Sequence, residues 1–80
     1  MRTVTLELLT TDHCTLCDAA LDLLLQIPQC AGCALRTVDV TTDDALFARY
    51  AADVPVLRAQ GAELAWPFSA DDVVSWLETF

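Results

Sequence analysis

The 80-residue sequence predicts an α/β fold in the order β-α-β-α-β-β-α. Three observations lead there. A period-two apolar run at Val4, Leu6 and Leu8 gives way, after a short polar loop, to helical periodicity over residues 15–27. A helix alone separates this first strand from the next, which requires a parallel pair and a right-handed crossover. Near the carboxyl end two short apolar runs stand only a turn apart, the pattern of an antiparallel hairpin.

Taken in order, Val4, Leu6 and Leu8 alternate with Thr3, Thr5 and Glu7, and Leu9 thickens the buried end. Residues 10–13 form a polar loop. In the helix that follows, Leu16, Ala20, Leu24 and Ile27 share a face, with Leu21 and Leu25 beside them and Asp18, Asp22 and Gln26 opposite. Pro28 ends the helix by biasing Ile27 away from helical geometry. Residues 30–33 are read as a loop and 34–40 as the second strand, with Leu35 and Val38 apolar.

Thr42 or Asp43 can cap a helix through Tyr50. Val54-Pro55-Val56-Leu57 starts the third strand, Gln60-Gly61 is the turn, and Glu63-Leu64-Ala65-Trp66 returns. Ser69 and Asp72 form an aspartate version of the capping box before a last helix, whose stripe is Val73, Val74, Trp76, Leu77 and Phe80. Tyr50, Trp66 and Trp76 lie on amphipathic stretches and read as core. With no linker, repeat or low-complexity segment, residues 1–80 are expected to form a single domain.

A hydrophobic fraction of 55% against 20% charged residues argues for a folded chain. Four arginines against twelve acidic residues give a net charge of -8, which repels phosphate backbones and anionic lipids. Nucleic acid and membrane are therefore not expected partners. The amino terminus enters a strand pattern with no apolar leader, and no run approaches the roughly 18 apolar residues of a membrane span, so a cytoplasmic protein is expected.

The four cysteines fall in two Cys-x-x-Cys pairs, Cys14/Cys17 and Cys30/Cys33. Only a thiolate is a strong nucleophile, and a helix amino end favours that anion through unpaired N–H groups and the helix dipole. Cys14 stands there, with Cys17 about one turn on. In a cytosolic βαβ context this pair reads as redox-active. The spacing of the two pairs also resembles a zinc site. A helix over residues 17–27 would, however, span about 15 Å at 1.5 Å per residue, and three residues return at most roughly 11 Å. A shared metal is therefore not expected. Cys30 and Cys33 are left between free thiols, an incidental loop disulfide, a second redox switch and half of a metal site shared by two molecules.

The Cys14-Thr15-Leu16-Cys17 pair after a first strand, Val54-Pro55 before a hairpin and the helix start at Ser69-Ala70-Asp71-Asp72 together resemble glutaredoxin. More closely, they resemble the small bacterial glutaredoxin-like proteins of uncharacterised function. The resemblance implies a thioredoxin fold with a four-stranded mixed sheet in the order 2-1-3-4 flanked by helices. It implies a thiol-disulfide oxidoreductase with Cys14 attacking and Cys17 resolving. Val54-Pro55 would be a cis peptide facing them, with the Val54 backbone open to the substrate strand-fashion, and the amides around Asp71 would offer a carboxylate site.

The implied partner is a protein disulfide or small thiol, with no cofactor and with glutathione as a conceivable co-substrate. The chain departs from the family pattern in three places. Thr-Leu replaces Pro-Tyr between the cysteines, Asp12 and His13 stand where a lysine precedes the pair, and Phe68-Ser69 replaces a double glycine. An aspartate before the pair opposes an anionic ligand. The competing reading is a thioredoxin-like binding module whose cysteines hold zinc or an iron-sulfur cluster, or dock a partner, without turnover.

Overall fold

The computed structural model describes residues 4–80, so the expected strand residue Thr3 lies outside the described part. The elements are β1 (Thr5–Thr10), α1 (Thr15–Leu25), β2 (Ala34–Asp39), α2 (Asp44–Tyr50), β3 (Val56–Ala59), β4 (Ala62–Ala65) and α3 (Ala70–Leu77). The four strands form one sheet in the order β2-β1-β3-β4. β1 runs parallel to β2 and antiparallel to β3, and β4 closes the hairpin. This is the expected thioredoxin-like architecture.

Because alternate strand residues point to opposite faces, β1 feeds two cores. Leu6 and Leu8 pack with Leu57 and Ala59 beneath Ala20, Leu24 and Ile27 from the α1 region and Val73 of α3. Leu9 turns to the other face and joins Val56, Val40 and Tyr50, with Leu46 of α2 alongside. The helices thus divide, α1 and α3 on one face and α2 on the other.

The buried stripe of α1 differs from the expected one. Leu16 is 51% and Leu25 70% exposed, while Cys17, Ala20 and Leu24 are buried. Positions 17, 20, 24 and 27 keep the three-four spacing as well as 16, 20, 24 and 27 do, and Cys17 packs as a small hydrophobe where Leu16 was expected. The helix also ends earlier than expected. Ile27 is extended (φ -89°, ψ 115°) before Pro28, and residues 28–32 form a 3₁₀ turn rather than an open loop.

A second short 3₁₀ turn, Val40–Thr42, follows β2. Asp39 caps it, accepting from the Thr41 N–H at 2.9 Å and the Thr41 hydroxyl at 2.6 Å. These bonds, from the Thr41 hydroxyl first and its amide second, hold the Asp39 carboxyl below its ordinary range. Their stabilising effect is present above the ordinary carboxylate pKa of about 3.9 and is lost as pH falls through the lower folded value. Asp43 caps α2 through Ala45 and Leu46. The Ser69/Asp72 capping box forms as expected, at 3.1 and 2.9 Å. Among the described residues no helix is long and apolar enough to cross a membrane.

On the α2 face the sheet carries a charge ladder. Glu7 stands opposite Arg36 on one side and Arg58 on the other, and Arg58 stands opposite Glu63. Arg58 donates to Glu7 Oε1 from Nε at 3.1 Å and Nη2 at 3.0 Å. Arg36 lies 3.7 Å from Glu7 and Arg49 3.8 Å from Glu63, which also accepts from the Tyr50 hydroxyl. Opposite charges facing across strands hold register, because a one-residue slip would move each to the wrong face.

Two outcomes test this reading. Gly61 has φ 82° with no atom within 4 Å of the position a Cβ would take. Gly61→Ala should therefore destabilise by about 1–2 kcal/mol through backbone conformation alone in chemical denaturation. A double-mutant cycle on Glu7→Gln and Arg58→Met should give a coupling of about 1 kcal/mol that shrinks in high salt. An absent coupling would mean that the pair does not hold the strands together.

Candidate active site at the amino end of helix α1

β1 ends at Thr10, and the loop that follows turns sharply enough to place His13 at φ 55°, a left-handed conformation that histidine adopts more readily than bulky residues. The turn delivers Cys14 to the N-cap of α1 in extended geometry (φ -102°, ψ 99°). Its Sγ accepts the Cys17 backbone N–H at 3.1 Å. A sulfur thus takes the capping place usually held by a serine, threonine, asparagine or aspartate oxygen.

Cys14 and Cys17 are joined in a disulfide with their Cα atoms 5.2 Å apart. Cys14 is half-buried, whereas Cys17 is 4% exposed and rooted in the core. An incoming group therefore meets the Cys14 sulfur first.

When the bond is reduced, two effects compete at Cys14. An N–H hydrogen bond to a charged group contributes about 1.5–3 kcal/mol, and the helix terminus adds about 0.3–1 kcal/mol. Asp12 and Asp18 oppose the anion, but both are exposed. Through water a unit charge even at 4 Å is worth about 1 kcal/mol. The thiolate should win.

The pair opens on a cleft of about 510 Å³. Thr10, Thr11 and Thr15 line it together with Asp12, His13 and Asp18, and Thr37 reaches in from β2. Among the described residues no arginine lines it. Sequence reading did not single out Thr37. The available signal was a hydroxyl on the strand face that Leu35, two residues earlier, turns to the core.

Val54-Pro55 is a cis peptide, as the resemblance implies, and Trp66-Pro67 is a second one that was not anticipated. Leu9 pairs with Val56, so the strand register carries Val54-Pro55 to the end of β1 from which the Cys14 loop departs. Pro55 is fully buried and Val54 half-buried. The Val54 N–H donates to Tyr50 O at 3.0 Å and the Pro55 carbonyl accepts from Trp66 at 3.2 Å. Both groups are engaged internally, so the expected donor at Val54 is taken. Asp71 is exposed in the first turn of α3, and neither it nor Val54-Pro55 lines the 510 Å³ cleft.

Cys30 and Cys33 lie beyond the carboxyl end of α1, remote from Cys14 and Cys17 along the helix. Among the described residues no three histidine, cysteine, aspartate or glutamate side chains gather as a metal site.

Comparison with known proteins agrees with this geometry. The family described as Glutaredoxin-like domain (DUF836) matches residues 5–78. The crystal structure of the structural-genomics target protein XcR50 from X. campestris is 39% identical, covers 94% of this chain and 97% of that one, and superposes with a TM-score of 0.82. The solution structure of the same target gives 39% identity, 94% coverage of each chain and a TM-score of 0.80. A malarial protein at 14% identity, covering 98% of this chain and 97% of its own, has a TM-score of 0.72 and shares the fold. Among curated proteins none matches significantly.

In the reduced protein Cys14 should react with iodoacetamide with a pH midpoint below the roughly 8.5 of a free cysteine, and well before Cys17. Asp18→Asn should lower that midpoint further. A Cys14 midpoint at or above the free value would show that the carboxylates dominate.

Proposed function

The chain belongs to the glutaredoxin-like domain family, and on that premise we propose that it is a thiol-disulfide oxidoreductase whose reacting dithiol is Cys14 and Cys17. The observation that carries this reading is the Cys14 sulfur at the amino end of α1, hydrogen-bonded to the Cys17 amide while bonded to the buried Cys17 sulfur.

In the reduced form the Cys14 thiolate attacks one sulfur of a substrate disulfide. The Cys14–substrate bond forms, the substrate S–S bond breaks and the second substrate sulfur leaves as thiolate, which takes a proton. Cys17 then gives up its proton to solvent and attacks the Cys14 sulfur. The substrate's first sulfur leaves as thiolate, and Cys14–Cys17 is the two-electron-oxidised product. An external thiol reductant returns it to the dithiol. Because Cys17 is buried behind Cys14, resolution is intramolecular and the mixed disulfide is short-lived.

The cleft supports a substrate class. Hydroxyls offer neutral hydrogen bonds, Asp12 and Asp18 favour positive charge, and among the described residues no arginine is at hand for a carboxylate. Disulfides in neutral or basic polypeptide segments suit these surroundings better than glutathione, which brings carboxylates of its own. The Val54 carbonyl, whose neighbouring N–H is already engaged, could accept one substrate N–H in strand fashion.

Cys14→Ser should abolish turnover of a peptide disulfide, and Cys17→Ser should accumulate the mixed disulfide at Cys14. Undiminished turnover by Cys14→Ser would overturn the assignment. A disulfide peptide flanked by lysine should show a kcat/KM about tenfold above its glutamate-flanked counterpart at low salt, the gap narrowing in high salt and in Asp12→Asn/Asp18→Asn. Equal values would remove the charge preference and leave the thiol chemistry standing.

A further inference from the structure

Cys30 and Cys33 have no part in the chemistry above, yet they are not scattered thiols. Pro28 starts a 3₁₀ turn by supplying a fixed φ where no N–H is needed. The turn is built from i to i+3 bonds, Cys30 N–H to Ile27 O and Cys33 N–H to Cys30 O, each 3.0 Å. A turn closed in this way holds its first and fourth Cα atoms within about 7 Å. Disulfides span about 4.4–6.8 Å between Cα atoms.

Both cysteines also open on the same recess, about 230 Å³, walled by Leu24, Leu25, Ala31 and Leu35. The two sulfurs are thus brought to one cavity by local backbone geometry. They are not equivalent. Cys30 is 7% exposed, and burial, with Cys33 adding to it, pushes its thiol above the ordinary range. Cys33 is half-exposed, and its Sγ donates to the Gln29 carbonyl at 3.6 Å.

We propose that Cys30 and Cys33 form a second redox dithiol, which takes small neutral disulfides into the leucine-walled recess and works independently of the Cys14–Cys17 pair. Among the described residues no charged side chain lines the recess, and its leucine walls offer apolar contact to a neutral ligand.

The exposed Cys33, as thiolate, attacks the reagent disulfide, forming a Cys33 mixed disulfide and releasing one thiolate. Cys30 loses its proton to solvent and attacks the Cys33 sulfur. The Cys30–Cys33 bond forms, the second thiolate leaves, and two electrons have passed to the reagent. The eleven-residue α1, about 16 Å long at 1.5 Å per residue, stands between the two pairs. Direct exchange between them within one molecule is therefore excluded. Lacking a helix amino end to favour its thiolate, the second pair reacts more slowly than the first and acts as a slow switch beside a fast site.

The test uses the full-length chain with Cys14→Ser/Cys17→Ser, so its result does not depend on the function proposed above. The folded variant, checked by circular dichroism, is equilibrated with bis(2-hydroxyethyl) disulfide, alkylated and mapped by mass spectrometry. An intramolecular Cys30–Cys33 disulfide in monomeric protein is expected. Adding Cys30→Ala should trap the hydroxyethyl adduct on Cys33. Adding Cys33→Ser, at the half-exposed position where folding is least at risk, should slow labelling of Cys30 at least about tenfold, as its burial requires.

Three results would overturn the proposal. They are both thiols remaining freely alkylated after equilibration, only intermolecular links forming, or Cys30 reacting as fast without Cys33 as with it.

Discussion

The Cys14 sulfur is both the cap of α1 and the less buried half of the Cys14–Cys17 disulfide, and the local fold depends on that double use. A helix start leaves N–H groups without partners. Here one of them is satisfied by a sulfur at 3.1 Å, so the interaction that begins the helix also favours the thiolate. For it to form, the chain must leave β1 and turn within three residues, which His13 permits by accepting a positive φ. Cys17, one turn on, must then face inward, and it does so because it continues the buried stripe of Ala20 and Leu24. Disulfide spacing and core packing thus ask for the same residue at the same place.

That arrangement is held by β1, which lies between β2 and β3 and supplies both cores. Its carboxyl end is fixed from two sides. On one, Leu9 pairs with Val56 and draws Val54-Pro55 alongside; on the other, Thr10 pairs with Asp39 of β2. The cleft opens toward the β2 side, where Thr37 leaves a polar gap beside Leu8. On the α2 face Tyr50, Val40 and Val56 are packed with Leu9 into the second core.

Much of this was legible in the sequence, for a physical reason: features set by neighbouring residues leave local patterns. The strand and helix order follows from periods of two and 3.6, Ser69 and Asp72 declare their capping box, and the parallel β1–β2 pair follows from the helix between them. The cis Val54-Pro55 bond came through family likeness rather than through local pattern, while Trp66-Pro67 was missed. The exposed Leu16 misled because a leucine was preferred over a cysteine in choosing the apolar stripe. Thr37 in the cleft and the engaged Val54 N–H were out of reach, since both depend on which distant segments the sheet and loops bring together.

The charge distribution is the clearest case of such a nonlocal outcome. Composition reveals a net charge of -8 but not where it acts. In the folded chain Arg36, Arg49 and Arg58 are drawn to Glu7 and Glu63 on the α2 face, where they neutralise carboxylates and hold strand register. They are therefore engaged away from the cleft, and among the described residues no guanidinium lines it beside Asp12 and Asp18. Had one of those arginines lined the cleft, it would offer a fork for a carboxylate and offset the charge of Asp12 and Asp18. The same ion pairs that align the sheet therefore set the electrostatic character of the thiol site, although none of them touches it.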